Sequence, residues 1–347
     1  MSITSGPRVG IIGVGNIGTA YAMAIASSPL VRLTAVCDPD KKQRDGVAAT
    51  TDTEAFSSHH DLANSQLCDA VIVCTPPSTH PQVVQDCLQA GLDVLCEKPF
   101  AIDATDASQM FRTAAQTDNL LAMASKFRYV PDVAKAAALI RSGAIGEPTL
   151  IDVTFASIVD MSNRWNSVRS VSGGGVLIDN GTHAADVVRF LVGPISRVSA
   201  VQGKTASTDN VEDTAILLAE TACDAIATIN VSWAMPAHKQ SFVVVNGTEG
   251  ALKIGWTESV QRLSDTGEWT HFGPGYSKMD ALRSNVENFV SASMGVEEMR
   301  ISTDDVMASV SVIDAAYEAI RTGQWVTVHQ PSASAMFEEL GVASQAG

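Results

Sequence analysis

Val9-Gly10-Ile11-Ile12-Gly13-Val14-Gly15-Asn16-Ile17-Gly18 is a short apolar run that breaks into three spaced glycines. The segment Thr19 to Ser27 is rich in alanine and reads as a helix. A second apolar run, Leu33-Thr34-Ala35-Val36-Cys37, ends on Asp38. Strand, glycine turn, helix, strand and acid follow one another in the order a dinucleotide site requires. Gly13 lets the strand turn tightly, Gly15 lets a pyrophosphate approach the backbone, and Gly18 lets the helix pack closely on the strand. Asn16 and Ile17 lie between them, and the N-terminus of the helix that follows offers its unpaired N–H groups to phosphate. Asp38 stands twenty residues past Gly18, a spacing at which a carboxylate accepts hydrogen bonds from the adenosine ribose. Its charge favours NAD over NADP, while Lys41, Lys42 and Arg44 close by leave NADP open.

The alternation continues outward from that stretch. Ala70 to Cys74 reads as a strand, followed by the turn Thr75-Pro76-Pro77-Ser78-Thr79 and a helix from His80 to Ala90. Asp93 to Cys96 is a strand running into Glu97-Lys98-Pro99. A helix over 103–117 opens near Asp103, and Leu120 to Ser125 is a further strand. Such alternation implies parallel βαβ units. Past about residue 147 the pattern changes. A strand at 149–157 and a polar loop come first; after the helix that ends near Gly193, strands at 195–203, 211–220, 224–233, 240–246 and 250–255 follow with short turns, which suggests an antiparallel meander. A helix is expected from about residue 175 to near Gly193, two more near 279–294 and 303–322, and a last strand at 324–328. The expected organisation is α/β: a dinucleotide-binding Rossmann domain over 1–125, a second α/β domain with a large open, mostly antiparallel sheet over 126–330, and a tail over 331–347.

Composition bounds the partners. The chain has 347 residues, 46% hydrophobic and 18% charged, with a net charge of −15. That balance is globular and argues against nucleic acid, which needs clustered Lys and Arg, and against an anionic membrane surface. No apolar run approaches the length of a membrane span, and none near the N-terminus suits a signal peptide. The six cysteines, at 37, 68, 74, 87, 96 and 223, mostly sit in apolar runs, as reduced buried thiols do. The expectation is a cytoplasmic protein. The seven His and six Cys show no ligand spacing for zinc, so no metal is expected.

In an open parallel sheet, ligands sit beyond the carboxyl ends of the strands. That directs attention to Gly13–Gly18, Asp38, Thr75–His80 and Glu97-Lys98-Pro99. A lysine at position 98 can stabilise a developing alkoxide or polarise a carbonyl; read alone, the tripeptide is better taken as a solvated loop. Pro99 invites a cis bond. Farther along, Gly173-Gly174-Gly175 leads into a segment that, if helical, places Asp179 and His183 four apart on one face. A carboxylate beside an imidazole orients the ring and favours its protonated form; the same pair also reads as a surface ion pair. Asp186 is either a supporting partner or a solvated turn. Trp165 can stack on a sugar ring and Arg164 can bind hydroxyls or a carboxylate, or the tryptophan is structural.

Taken together, the glycine turn with Asp38, Thr75-Pro76-Pro77 with His80, Glu97-Lys98-Pro99, and the triple glycine with Asp179 and His183 resemble the glucose–fructose oxidoreductase/inositol dehydrogenase/MocA (Gfo/Idh/MocA) family. Gly247-Thr248-Glu249-Gly250 also fits, and the resemblance spans residues 8 to about 328. It implies a bound NAD, or NADP, and a catalytic trio of Lys98, Asp179 and His183. It implies cofactor contacts from Gly13, Gly15, Asn16, Ile17, Gly18, Asp38, Thr75, Pro76, His80, Glu97 and Lys98, with Glu97 near the nicotinamide ribose. Substrate contacts would come from Lys98, Arg128, Arg164, Trp165, Asp179 and His183. A homodimer or homotetramer built through the C-terminal sheet is implied as well. The expected activity is hydride transfer between nicotinamide and a secondary or anomeric carbinol of a sugar, cyclitol or related polyol. Two alternatives stand beside it: a glycosidase that uses tightly bound NAD in a transient redox mechanism, and a non-catalytic dinucleotide-binding sensor.

Overall fold

The computed structural model describes residues 6–162, 164–203, 211–236, 239–263 and 267–330. The tail 331–347 lies outside them. The chain divides into two compact units, one built from residues up to Lys126 together with Lys278–Met307, the other from Phe127–Ser277 and Ala308–Gln330.

The first unit is a six-stranded parallel sheet. Its elements are β1 (Arg8–Ile12), α1 (Asn16–Ala26), β2 (Arg32–Cys37), α2 (Lys41–Thr51), β3 (Glu54–Phe56), α3 (His59–Asn64), β4 (Ala70–Val73), α4 (His80–Gln89), β5 (Asp93–Glu97), α5 (Ala104–Thr117) and β6 (Leu121–Ala124). The strand order is β3-β2-β1-β4-β5-β6, with each neighbouring pair parallel. β1 and β4 are buried almost end to end, because helices cover both faces of the sheet. Asp103 caps α5 by accepting the Asp106 N–H at 2.9 Å. α2, α3 and the short β3 were not marked by the sequence pattern.

A later helix belongs to this unit too. α9 (Lys278–Ser293) places Leu282, Val286, Phe289 and Val290 in one core with Tyr21, Ala22 and Ile25 of α1. The sequence pattern places 278–307 within the second domain, 126–330. The apolar face of α9 packs instead on the first unit's core.

The second unit holds α6 (Pro131–Arg141), β7 (Pro148–Ala156), α7 (Arg169–Ser172), α8 (Thr182–Val192), β8 (Ile195–Gln202), β9 (Thr214–Thr221), β10 (Ile226–Ser232), β11 (Ser241–Gly247), β12 (Gly250–Gly255), β13 (Ser259–Leu263), β14 (Trp269–Gly273) and β15 (Val326–Thr327). α10 (Thr303–Thr322) divides between the units at Met307. The nine strands run β14-β13-β12-β11-β7-β10-β9-β8-β15. Most neighbours are antiparallel, but the sheet is not a continuous meander. β7 lies between β10 and β11 and runs parallel to β10, with Ile229 beside Val153. β13 and β14 are additional to the strands read from the sequence.

This sheet is amphipathic. Along β9, Ala215, Leu217 and Ala219 are buried while Ile216 and Leu218 face outward, the alternation of a sheet covered on one side. Leu150, Val201 and Ile226 share the outward face with them: Leu150 pairs with Ile226 and Val201 with Ile216. Among the described residues no helix is long and apolar enough to cross a membrane.

Candidate functional site

In the first unit the glycine turn has the tight bend expected at Gly13 and the close packing expected at Gly18. Gly13 has φ of +87° and donates its N–H to the Cys37 carbonyl at 2.8 Å, which closes the turn onto β2. A Cβ at Gly18 would stand 1.9 Å from the Gly13 carbonyl oxygen, so only glycine lets α1 pack there. A Cβ at Gly15 would meet no protein atom within 4 Å, and α1 opens at Gly15 without a side-chain cap. An open backbone beside uncapped N–H groups fits a pyrophosphate.

Asp38 sits at the end of β2, where Oδ2 accepts the Val14 N–H at 2.9 Å and Oδ1 the Asp40 N–H at 2.8 Å. The carboxylate is thereby fixed beside the glycine turn. Of its basic neighbours, Lys41 pairs with Asp45, while Arg44 reaches the Asp38 and Pro39 carbonyls and Asp45.

Thr75 and Pro76 are half-buried just past β4. His80 departs from the sequence expectation of a cofactor contact. Its ring is buried, with Nε2 2.8 Å from the Thr75 carbonyl and Nδ1 3.1 Å from that of Phe100. Burial pulls its pKa below the ordinary histidine value, and the two carbonyls oppose that shift. The ring therefore ties the loop after β4 to the loop after β5.

The latter loop carries Lys98, half-buried, followed by a cis bond to Pro99. Glu97 is turned inward. Oε1 accepts the Tyr21 hydroxyl at 2.9 Å and Oε2 the Lys98 N–H at 3.0 Å, and the side chain is buried. Burial pushes its carboxyl above the usual range, while Lys98 and Lys126 pull the other way. Its visible part is to hold the backbone that presents Lys98, and Tyr21 is a partner the motif did not announce.

In the second unit, the segment after the triple glycine is not a plain α-helix. Leu177–Gly181 forms one π-helical turn before α8 begins, so Asp179 and His183 stand on either side of a π-to-α junction. Such turns recur at functional sites. The cause lies in what the glycines approach. A Cβ at Gly174 would be 1.8 Å from the Tyr317 hydroxyl, and one at Gly175 would be 2.0 Å from the Glu212 carbonyl oxygen. Glu212, fully buried, receives the Gly175 N–H at 2.9 Å, the Leu177 N–H at 3.0 Å and the Tyr317 hydroxyl at 2.9 Å, all on Oε1. Its carbonyl takes the Val176 N–H at 2.8 Å. One carboxylate thus nucleates the segment that carries Asp179 and His183. Burial and this neighbouring carboxylate push the Tyr317 phenol well above its ordinary value.

His183 is 5% exposed and meets Phe127 edge-on at 5.0 Å between ring centroids. Phe127 itself stacks on Phe155 and Tyr276, and Phe242 and Trp256 extend the cluster. Asp179 is half-buried. Asp186, one turn after His183, is not a solvated turn: it is fully buried and takes Nε and Nη2 of Arg128 at 2.6–3.1 Å. That corrects Arg128 as well. Its guanidinium is buried by Asp186 and lies 5.1 Å over the Phe190 ring, so it anchors α8 and is not a surface offered to substrate. Arg164 and Trp165 lie exposed on a loop; Trp165 opens a short turn and is 39% accessible.

Comparison with known proteins agrees with this construction. Residues 7–125 match the oxidoreductase family with an NAD-binding Rossmann fold, and residues 133–253 match the Gfo/Idh/MocA C-terminal domain. The chain belongs to the Gfo/Idh/MocA family of oxidoreductases, and its first unit is an NAD-binding domain. It is 26% identical to the rhizopine catabolism protein MocA of Rhizobium meliloti over 317 residues, covering 90% of this chain and 95% of that protein. It is 25% identical to inositol 2-dehydrogenase of Rhizobium meliloti (strain 1021) over 341 residues, 92% and 99% of the two chains. Levoglucosan dehydrogenase solved with NADH superposes with a TM-score of 0.88, covering 94% of this chain and 100% of that one; at 21% identity this likeness is one of fold.

Proposed function

We propose that the chain is an NAD-dependent dehydrogenase or reductase of a sugar, cyclitol or related polyol, with Lys98, Asp179 and His183 as its catalytic trio. Gly13, Gly15, Asn16, Ile17, Gly18 and Asp38 hold the dinucleotide, with Thr75, Pro76 and Lys98 beside it. Nicotinamide, when bound, supplies the two-electron acceptor or donor. In the oxidising direction the carbinol C–H bond breaks as a hydride, its O–H proton passes to His183, and the carbonyl forms. Asp179 sets the orientation of the imidazole, and Lys98 steadies the negative charge that develops on the oxygen. Trp165 and Arg164, exposed on their loop, are the proposed contacts to the polyhydroxylated substrate.

The observation that carries this reading is the construction around His183. A buried imidazole sits on a π-to-α junction whose start is organised by the buried Glu212, in a chain whose other unit is built for NAD. The names of the relatives, an inositol dehydrogenase among them, support the substrate class. We also propose that a second copy covers the open sheet face bearing Leu150, Ile216, Leu218 and Ile226, since exposed apolar area of this kind marks an interface; light scattering in solution tests this.

Activity is tested by a panel of aldoses, inositols and sugar acids, each with NAD and NADP and read at the nicotinamide absorbance. Turnover of one class with NAD is the expected result. Release of an aglycone from a glycoside without net NADH would establish the transient redox mechanism instead. Dinucleotide binding with no turnover of any substrate would favour the sensor.

A further inference from the structure

Three ligand-type atoms meet at α3 and α4 of the first unit, apart from the groups assigned above. His59 and His60 open α3, and Asp86 lies on α4. Nε2 of His59 stands 2.9 Å, and Nε2 of His60 3.7 Å, from one and the same Asp86 oxygen, Oδ2. The three donor atoms all lie within 4.8 Å of one another. Two donors held tetrahedrally at about 2.0–2.1 Å from zinc stand roughly 3.3–3.4 Å apart, and the two measured separations bracket that value. The imidazole rings lie 4.1 Å apart between centroids, tilted by 34°, so they need only splay modestly to point at a common ion.

The carboxylate is prepared for this. Its other oxygen, Oδ1, accepts the Gln82 amide at 2.8 Å, which leaves Oδ2 facing the histidines. Ligating carboxylates are oriented by such an outer partner. A simple ion pair accounts for His59, but it gives no reason for His60 to share the oxygen. His60 has a side chain 62% exposed, yet its Nε2 stands 3.7 Å from the same atom.

We propose that His59, His60 and Asp86 form a site for a divalent transition ion of the zinc type. Two neutral imidazoles and one carboxylate suit such a borderline ion, and water completes the coordination from the open side. The ion would clip α3 to α4 and thereby stabilise the folded chain, since it binds the native arrangement alone. The site is independent of the proposed chemistry at His183.

Titration of the metal-free full-length chain with Zn2+ by calorimetry should give one ion per chain, with a melting temperature that rises with Zn2+ and falls back on adding EDTA. His60→Ala, at a mostly exposed side chain, should weaken binding at least about tenfold, as should Asp86→Asn. Gln82→Ala should weaken it severalfold by releasing the carboxylate. Cys223→Ser, which removes the exposed thiol, should bind as wild type does. Absence of Zn2+ uptake by the wild-type chain overturns the proposal. So does undiminished affinity in His60→Ala and Asp86→Asn, and so does loss of binding in Cys223→Ser.

Discussion

Two glycine turns, one in each unit, place a helix start where chemistry is expected, and they are built by opposite means. The turn at Gly13–Gly18 is closed mainly by main chain, with the Asp38 carboxylate accepting the Val14 N–H. Gly13 N–H reaches Cys37, Thr19 N–H reaches the Gly15 carbonyl at 2.9 Å, and the Thr19 hydroxyl reaches the Val14 carbonyl. The turn at Gly173–Gly175 leans on one buried side chain, Glu212, with Tyr317 behind it, besides the Val176 N–H on the Glu212 carbonyl and the Ser172 hydroxyl on the Gly174 carbonyl. A turn closed by backbone fails when atoms are added, as at Gly18, and tolerates most side-chain losses. A turn closed on a buried carboxylate fails when that single group is removed, because several donors lose their acceptor at once.

The largest effect expected in the second unit is on chemistry. His183→Ala should lower turnover roughly 10²–10⁴-fold while NAD binding is kept. The pH–rate profile of oxidation should change in the variant, since the group that takes the proton is gone. An unchanged pH–rate profile would send the proton elsewhere, to Lys98 first. Next comes the anchor of the same helix. Asp186→Ala strands the buried Arg128 guanidinium, and breaking a buried pair from one side costs about 3–5 kcal/mol. Denaturant unfolding measures this; a loss below about 1 kcal/mol, the range of exposed pairs, would mean the pair is open to water.

The contrast also explains what could be read before the fold was known. Gly13 to Asp38 is contiguous, and every part of its turn lies within one βαβ unit, so local pattern sufficed. The second site is assembled over distance. Glu212 lies 37 residues from the Gly175 N–H it accepts and 105 from Tyr317, and nothing in its own neighbourhood distinguishes it. Arg128 finds Asp186 across 58 residues, which is why a buried clamp reads as a substrate contact in the sequence. The π turn likewise leaves no periodicity of its own in the sequence. His80 and Glu97 show the milder failure: the right motif, with side chains turned inward to brace the loops. The His59–His60–Asp86 cluster escaped because its carboxylate comes from another helix.

In the first unit the expected losses are smaller. Asp38→Ala removes a charged acceptor, worth about 1.5–3 kcal/mol, and should weaken NAD by roughly ten- to a hundredfold in measured affinity. With Lys41 and Arg44 both paired with Asp45, NADP should not bind more tightly than NAD in the wild type; a tenfold preference for NADP would refute this reading of Asp38. Tyr317→Phe tests the second turn with the least disturbance. It removes one of the three donors on Glu212, worth about 1 kcal/mol, and should cost little turnover if the two backbone N–H groups hold the turn. A loss of turnover as large as that of His183→Ala would make the phenol itself part of the chemistry.

The smallest effect is expected at Glu97, and it is a change of slope. Glutamine can keep both contacts there: its carbonyl accepts the Lys98 N–H, and its amide donates to the Tyr21 oxygen, since a phenol both gives and takes. Glu97→Gln should therefore be close to wild type in stability under acid conditions, where the carboxyl is protonated. Burial raises the folded-state pKa of Glu97, so the native chain holds this proton more tightly than the unfolded chain, whose glutamates titrate at about 4.3. Its contribution to stability is fully present below that unfolded value and is lost as pH rises through the folded one. The glutamine variant carries no such loss. Unfolding midpoints measured in parallel from acid to neutral pH should show the variant gaining on wild type as pH rises. A constant difference, or one of opposite sign, would mean that Lys98 and Lys126 outweigh burial and that the loop presenting Lys98 is held by a charged carboxylate after all.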